Sequence, residues 1–81
     1  MTSQSIMQTA SLWDDFIPSY RPTQEQFSFW VRRYGPDIIS YAIAETGEKQ
    51  LRTGAMTPEY LVRFCSSVAK AEAARRKGVT E

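Results

Sequence analysis

Five basic residues near the end of the chain carry the clearest chemical signal. Arg63, Lys70 and Lys77 recur every seven residues, which on a helix sets them along one outer face, and Arg75 and Arg76 flank that line. Glu72 is the acid that opposes them. Cations repeating along one helix face suit a phosphodiester backbone, where each neutralised phosphate adds salt-dependent affinity. Cations near a helix C-terminus also complement its dipole, by about 0.3–1 kcal/mol each, but capping does not require five of them. Tyr60 and Tyr41 fall at the edges of apolar stripes, where a ring can be half-buried packing or be offered to an unpaired base. A second candidate surface lies near the start. Trp13, Asp14, Asp15 and Phe16 combine two aromatics with two acids, which suits either a lid on the core or a docking segment for a protein partner.

Other chemistry is excluded by what the chain lacks. It contains no histidine and one cysteine, Cys65. That removes zinc sites, Ser-His-Asp and Cys-His arrangements and any intramolecular disulfide. The carboxylates do not assemble a site: Asp14 and Asp15 diverge on a helix, Asp37 and Glu59 occupy helix starts, and Glu45 and Glu48 lack a third partner. Cys65 falls between Leu61 and Val68 on an apolar stripe, the place of a small core residue and not of a nucleophile. The TGEK run at Thr46–Lys49 lacks the spacing of a phosphate-binding loop and has no preceding strand. The expectation is a non-enzymatic chain with no metal and no cofactor.

The elements that must position these residues are helical. With 81 residues, of which 42% are apolar, there is room for one core. The net charge of +1 hides an uneven distribution: residues 1–48 carry −3 and residues 49–81 carry +4. Residues 1–11 are small and polar, and read as a flexible arm ahead of a single domain over 12–78, with a disordered tail at 79–81. Deleting residues 1–10 is expected to be tolerated, and deleting 1–17 is not. Ser11 can cap a short helical turn through LWDDF, which Pro18 stops. Thr23 to Gln26 forms a capping box for a helix ending at Gly35, with Phe27, Trp30, Val31 and Tyr34 on one face. Phe29 points to the opposite side, and the LWDDF segment is expected to cover it.

Pro36 and Asp37 restart the chain as a second helix, with Ile38, Ile39, Ala42, Ile43 and Thr46 inward. Gly47 can end that helix, but good helix formers follow it, so the break is placed at Thr53–Gly54. Thr57 caps a third helix with Pro58 at its first position, and Leu61, Phe64, Cys65 and Val68 face inward. No segment alternates like a strand. The expected fold is all-α: a compact three-helix domain with a short apolar N-terminal helical segment packed across it. The lack of a leader or an apolar span, with one unpaired thiol, predicts a cytoplasmic protein with no membrane contact.

The stretch GPDIISYAIAETGEKQLRTGAMTPEYLVRFCSSVAKA resembles the helical domain of bacterial and phage replication-initiation proteins, the DnaD-like and DnaT-like primosomal modules. Asp37, Ile39 (one position late), Ala42 and Ile43 match that family's first helix. Tyr60, Phe64 and Val68 match the spacing of its last. The lead-in SYRPTQEQF also looks like the start of such domains. Val68 stands where the family has a tryptophan, and the family's glycine-rich turn is only partly reproduced. The likeness covers residues 20–77 and rests on helical patterning. It implies binding of single-stranded DNA through the last helix and basic tail, with contacts to other replication proteins.

Two functional expectations follow. The first is a nucleic-acid-binding or replication-accessory module acting through Tyr60, Arg63, Lys70, Arg75, Arg76 and Lys77. The second is a small adaptor or inhibitor docking through Trp13, Asp14, Asp15 and Phe16.

Overall fold

Capping chemistry sets the ends of three helices out of four. The computed structural model describes residues 3–54 and 56–79. Its elements are α1 (Ser3–Phe16), α2 (Gln24–Tyr34), α3 (Pro36–Thr53) and α4 (Pro58–Val79). Thr23 Oγ1 accepts from the Gln26 N–H and Thr57 Oγ1 from the Tyr60 N–H, each at 3.2 Å. Both hydroxyls satisfy a backbone donor that the first turn leaves without a partner. Gly35 alone joins α2 to α3. Its N–H donates to the Val31 carbonyl at 2.9 Å and its φ is 89°, a conformation that side-chain-bearing residues avoid. Pro36 then opens α3, and the Gly54 N–H closes it on the Gln50 carbonyl. Among the described residues there is no strand, so the chain is all-α.

A cluster of three rings forms the centre. Trp13 from α1 stacks on Trp30 from α2, with centroids 5.7 Å apart and planes 24° from parallel. Phe27 meets both indoles edge-on, at 6.0 and 5.9 Å. Such offset and edge-to-face pairs add to the gain from area alone. All three rings are buried, together with Ile17, Ile39, Ala42, Ile43, Leu61, Cys65 and Ala69. Each indole N–H finds a partner: Trp13 donates to the Tyr20 carbonyl and Trp30 to Ser66 Oγ at 2.9 Å. The first of these bonds folds the 17–23 connection back over α1.

α3 packs along α4 with the two running antiparallel. Lys49 lies over the Phe64 ring, Thr46 meets Cys65, and Tyr41 lies near Arg75. Falling numbers on α3 thus face rising numbers on α4. The Cys65 thiol is pushed up to about 12 by burial, against a weaker lowering by Thr46, so it is a core group and not a nucleophile.

Three expectations are corrected. The N-terminal arm is not an arm, since residues 3–11 belong to α1. Ile6, Ala10, Trp13 and Ile17 recur at helical spacing and pack together on the core, and Thr9 is buried with its hydroxyl on the Ser5 carbonyl. Residues 1–10 therefore include part of the domain that their deletion would remove. Val79, expected in a disordered tail, is the last residue of α4, and residues 80 and 81 lie outside the described residues. Phe29 is not covered by α1. It remains 49% exposed, because α1 docks on the Phe27–Trp30 side of α2 instead. Among the described residues there are four helices, the first 14 residues long, in place of three helices and a short segment.

Gly47 does not end α3 but lies buried within it, where α1 crosses. A Cβ at this position would stand 2.9 Å from Phe16 Cβ and 3.2 Å from the Phe16 carbonyl oxygen. The missing side chain lets the end of α1 approach the α3 backbone.

Candidate nucleic-acid interface

The outer face of α4 holds the basic residues because its other face is committed to the core. Leu61, Cys65 and Ala69 are buried, which turns Arg63 and Lys70 outward, and Lys77 continues the same exposed line two turns on. Glu59, at the first turn, stands at the start of this face, where it favours the helix dipole.

Arg75 and Arg76 behave differently from Arg63 and Lys70. Glu72, expected from sequence to be a lone opposing charge, is only 5% exposed and bonded to both. Arg75 Nε and Nη2 donate to its two oxygens at 3.0 and 2.6 Å, and Arg76 Nε donates to the second at 2.7 Å. The bidentate geometry fixes the Arg75 guanidinium and leaves its remaining N–H donors facing away from Glu72. Hydrogen bonds from Arg75 and then Arg76 outweigh burial and hold the Glu72 carboxyl at about 2, while Glu72 raises Arg75 in turn. Net positive charge at the end of α4 is therefore smaller than a count of basic residues suggests.

The pH dependence of this clamp has a definite sign. Because the folded value lies below the ordinary 4.5, the clamp contributes stability that is whole above that value and lost as pH falls through about 2. Urea unfolding midpoints of the wild type and of Glu72→Gln should differ most above pH 4.5 and converge as the pH approaches 2. A gap that stays constant down to pH 2 would show that the carboxylate's charge is not what the arginines hold.

The two tyrosines separate. Tyr60 stands at the first turn of α4, and 15 residues at about 1.5 Å each put it about 22 Å from Arg75. Its ring tilts against Phe64, 6.2 Å away, and is partly exposed. Tyr41 on α3 is exposed to a similar degree and lies close enough to Arg75 to influence its charge. The structure thus brings Tyr41, Arg75, Arg76 and Glu72 together at one end of α4, and leaves Tyr60 and Arg63 at the other.

The alternative docking segment is divided by α1. Trp13 is fully buried and unavailable to a partner. Asp15 and Phe16 reach the surface, and Asp14 lies 3.6 Å from the Arg21 guanidinium. Beside them is a hollow of about 630 Å³ between α1 and the start of α2, lined by Ile6, Met7, Ala10, Pro22 and Phe27, with Asp14 and Arg21 at its polar side. Sequence reasoning missed this hollow because it took residues 1–11 as an arm. It also missed the exposed ring of Phe29, which carries Arg32 and Arg33 one turn later. The signal was present in both cases, as the spacing Ile6–Ala10–Trp13 and as the spacing Phe29–Arg32–Arg33.

Among the described residues no group of three acids or cysteines is placed to hold a metal ion. No helix there is long and apolar enough to cross a membrane. Comparison of the chain with protein-family models, with curated proteins and with solved structures gives no match.

Proposed function

We propose that this chain is a nucleic-acid-binding module that tracks phosphates with the outer face of α4. One observation carries the reading. Along the exposed length of α4 from Tyr60 to Lys77 the charged side chains at the surface are cations, while the acid of that stretch, Glu72, is buried beneath Arg75 and Arg76. Arg63, Lys70 and Lys77 supply the charge line. Arg75 and Arg76, already oriented by Glu72, present their remaining donors at the end with less side-chain ordering left to lose. The nearby Tyr41 ring is better placed than Tyr60 to stack on a base held there. The resemblance to primosomal helical domains agrees with single-stranded DNA as the ligand and with replication proteins as neighbours.

The reading is tested by isothermal titration calorimetry with a single-stranded oligonucleotide of about 16 nucleotides, the upper end of what small modules cover. The contacts of Arg63, Lys70 and Lys77 alone predict that log K falls with log salt at a slope of about −2 or steeper, so affinity drops at least about 20-fold between about 50 and 200 mM salt. Arg63→Glu with Lys70→Glu should abolish binding. Absence of binding at the lower salt, or an affinity indifferent to salt, overturns the proposal. An adaptor reading is supported by the hollow beside Met7, which is 68% exposed. Under that reading the same charge reversals leave partner binding intact.

A further inference from the structure

Phe29 is an aromatic ring on the solvent side of α2, opposite Phe27, Trp30 and Val31, and it is 49% exposed among the described residues. Arg32 and Arg33 follow it at three and four residues, the spacing that brings side chains together on a helix surface. The three residues line a shallow hollow of about 410 Å³. Neither guanidinium is loose. Arg32 Nε donates to the Ser28 carbonyl at 3.4 Å, and the Arg33 guanidinium lies over the Tyr34 ring, 5.9 Å from its centre. Glu25, one turn before Phe29, bounds the patch on its acidic side.

The bond from Trp30 Nε1 to Ser66 Oγ ties the middle of α2 to the middle of α4. Arg33 lies about one turn beyond Trp30, and Arg63 and Lys70 lie about one turn to either side of Ser66. Both helices therefore carry cations within about one turn of the bond that joins them, measured along each axis.

We propose that Phe29, Arg32 and Arg33 form a stacking platform for single-stranded nucleic acid: one unpaired base rests on the Phe29 ring while the two arginines take its flanking phosphates. The platform rests on the phosphate-tracking reading of α4 and extends it to α2. Its chemistry favours this occupant over a protein. One ring beside two permanent cations offers far less apolar area than the roughly 800 Å² per partner of a stable protein interface. It does match the face of one base and the phosphate charge next to it.

The experiment titrates the full chain, Phe29→Ala, Phe29→Trp and the Arg32→Gln, Arg33→Gln double variant with the same single strand and with its duplex. An exposed position of this kind costs little stability, and far-ultraviolet circular dichroism confirms that each variant is folded. Phe29→Ala should weaken single-strand binding about 5- to 100-fold and Phe29→Trp should retain it. Duplex binding should be unaffected by Phe29→Ala, because paired bases are already stacked. The arginine variant should weaken both and reduce the salt slope. If the wild type binds and Phe29→Ala leaves single-strand affinity unchanged, or weakens strand and duplex alike, the platform is overturned and the α4 reading stands. A wild type that binds a polyglutamate peptide as tightly as the single strand, indifferent to Phe29, also overturns it. No binding to any oligonucleotide overturns both.

Discussion

Replacing Trp13 with alanine should remove the cooperative thermal transition of this chain. Trp13 is fully buried, stacks on Trp30, receives the edge of Phe27 and donates its indole N–H to the Tyr20 carbonyl. Truncating a core tryptophan costs about 3–5 kcal/mol. A small domain has about 5 kcal/mol at the low end of the usual range, so the loss is comparable to the whole stability. Circular dichroism melts should show a broad, early loss of helix for Trp13→Ala. Trp13→Phe, which keeps an aromatic ring but loses the donor to Tyr20, should melt cooperatively at an intermediate temperature. A Trp13→Ala chain that melts within a few degrees of the wild type would return this residue to the surface as a docking group, and the adaptor reading with it.

Gly47→Ala should destabilise the chain although alanine is the better helix former. Intrinsic preference favours alanine in a helix interior by about 1 kcal/mol. The new methyl would stand 2.9 Å from Phe16 Cβ and 3.2 Å from the Phe16 carbonyl oxygen, atoms at or beside the backbone that cannot swing aside. Overpacking of this kind costs about 1–3 kcal/mol, so the net effect is a loss, and Gly47→Leu should lose considerably more. Gly78→Ala supplies the opposite sign, since nothing lies within 4 Å of a Cβ there and helix preference acts alone. Urea midpoints should fall for Gly47→Ala and rise slightly for Gly78→Ala, with unchanged slopes. Equal midpoints for Gly47→Ala and wild type would mean that α1 can ride away from α3 without cost.

The contrast between these residues shows what can be read before folding. Thr23, Gly35 with Pro36, and Thr57 with Pro58 are local signals, and each marks a helix end where it was expected. Between Ser3 and Ser11 the described part of α1 has no proline or glycine to punctuate it. It is held by Ile6, Ala10, Trp13 and Ile17 packing on other helices, so its length depends on contacts distant in sequence. Gly47 is ambiguous for the same reason. A glycine ending a helix and a glycine admitting a neighbour look alike until the neighbour is placed. On α4 the line of Arg63, Lys70 and Lys77 was legible from its period. The tie of Glu72 to Arg75 and Arg76 follows familiar three- and four-residue spacing, but the way both arginines close over the carboxylate does not. Phe29 was correctly read as facing away from the core-directed stripe, and what failed was the assumption that an exposed ring must be covered.

The stacked pair of Trp13 and Trp30 gives the chain a built-in optical reporter. These are its two tryptophans, one on α1 and one on α2, in face-to-face contact and screened from water. Their emission carries no contribution from an indole elsewhere, so its red shift marks the moment the first helix leaves the second. Compared with the loss of helical signal, that shift tells whether α1 detaches ahead of the rest or only when everything melts.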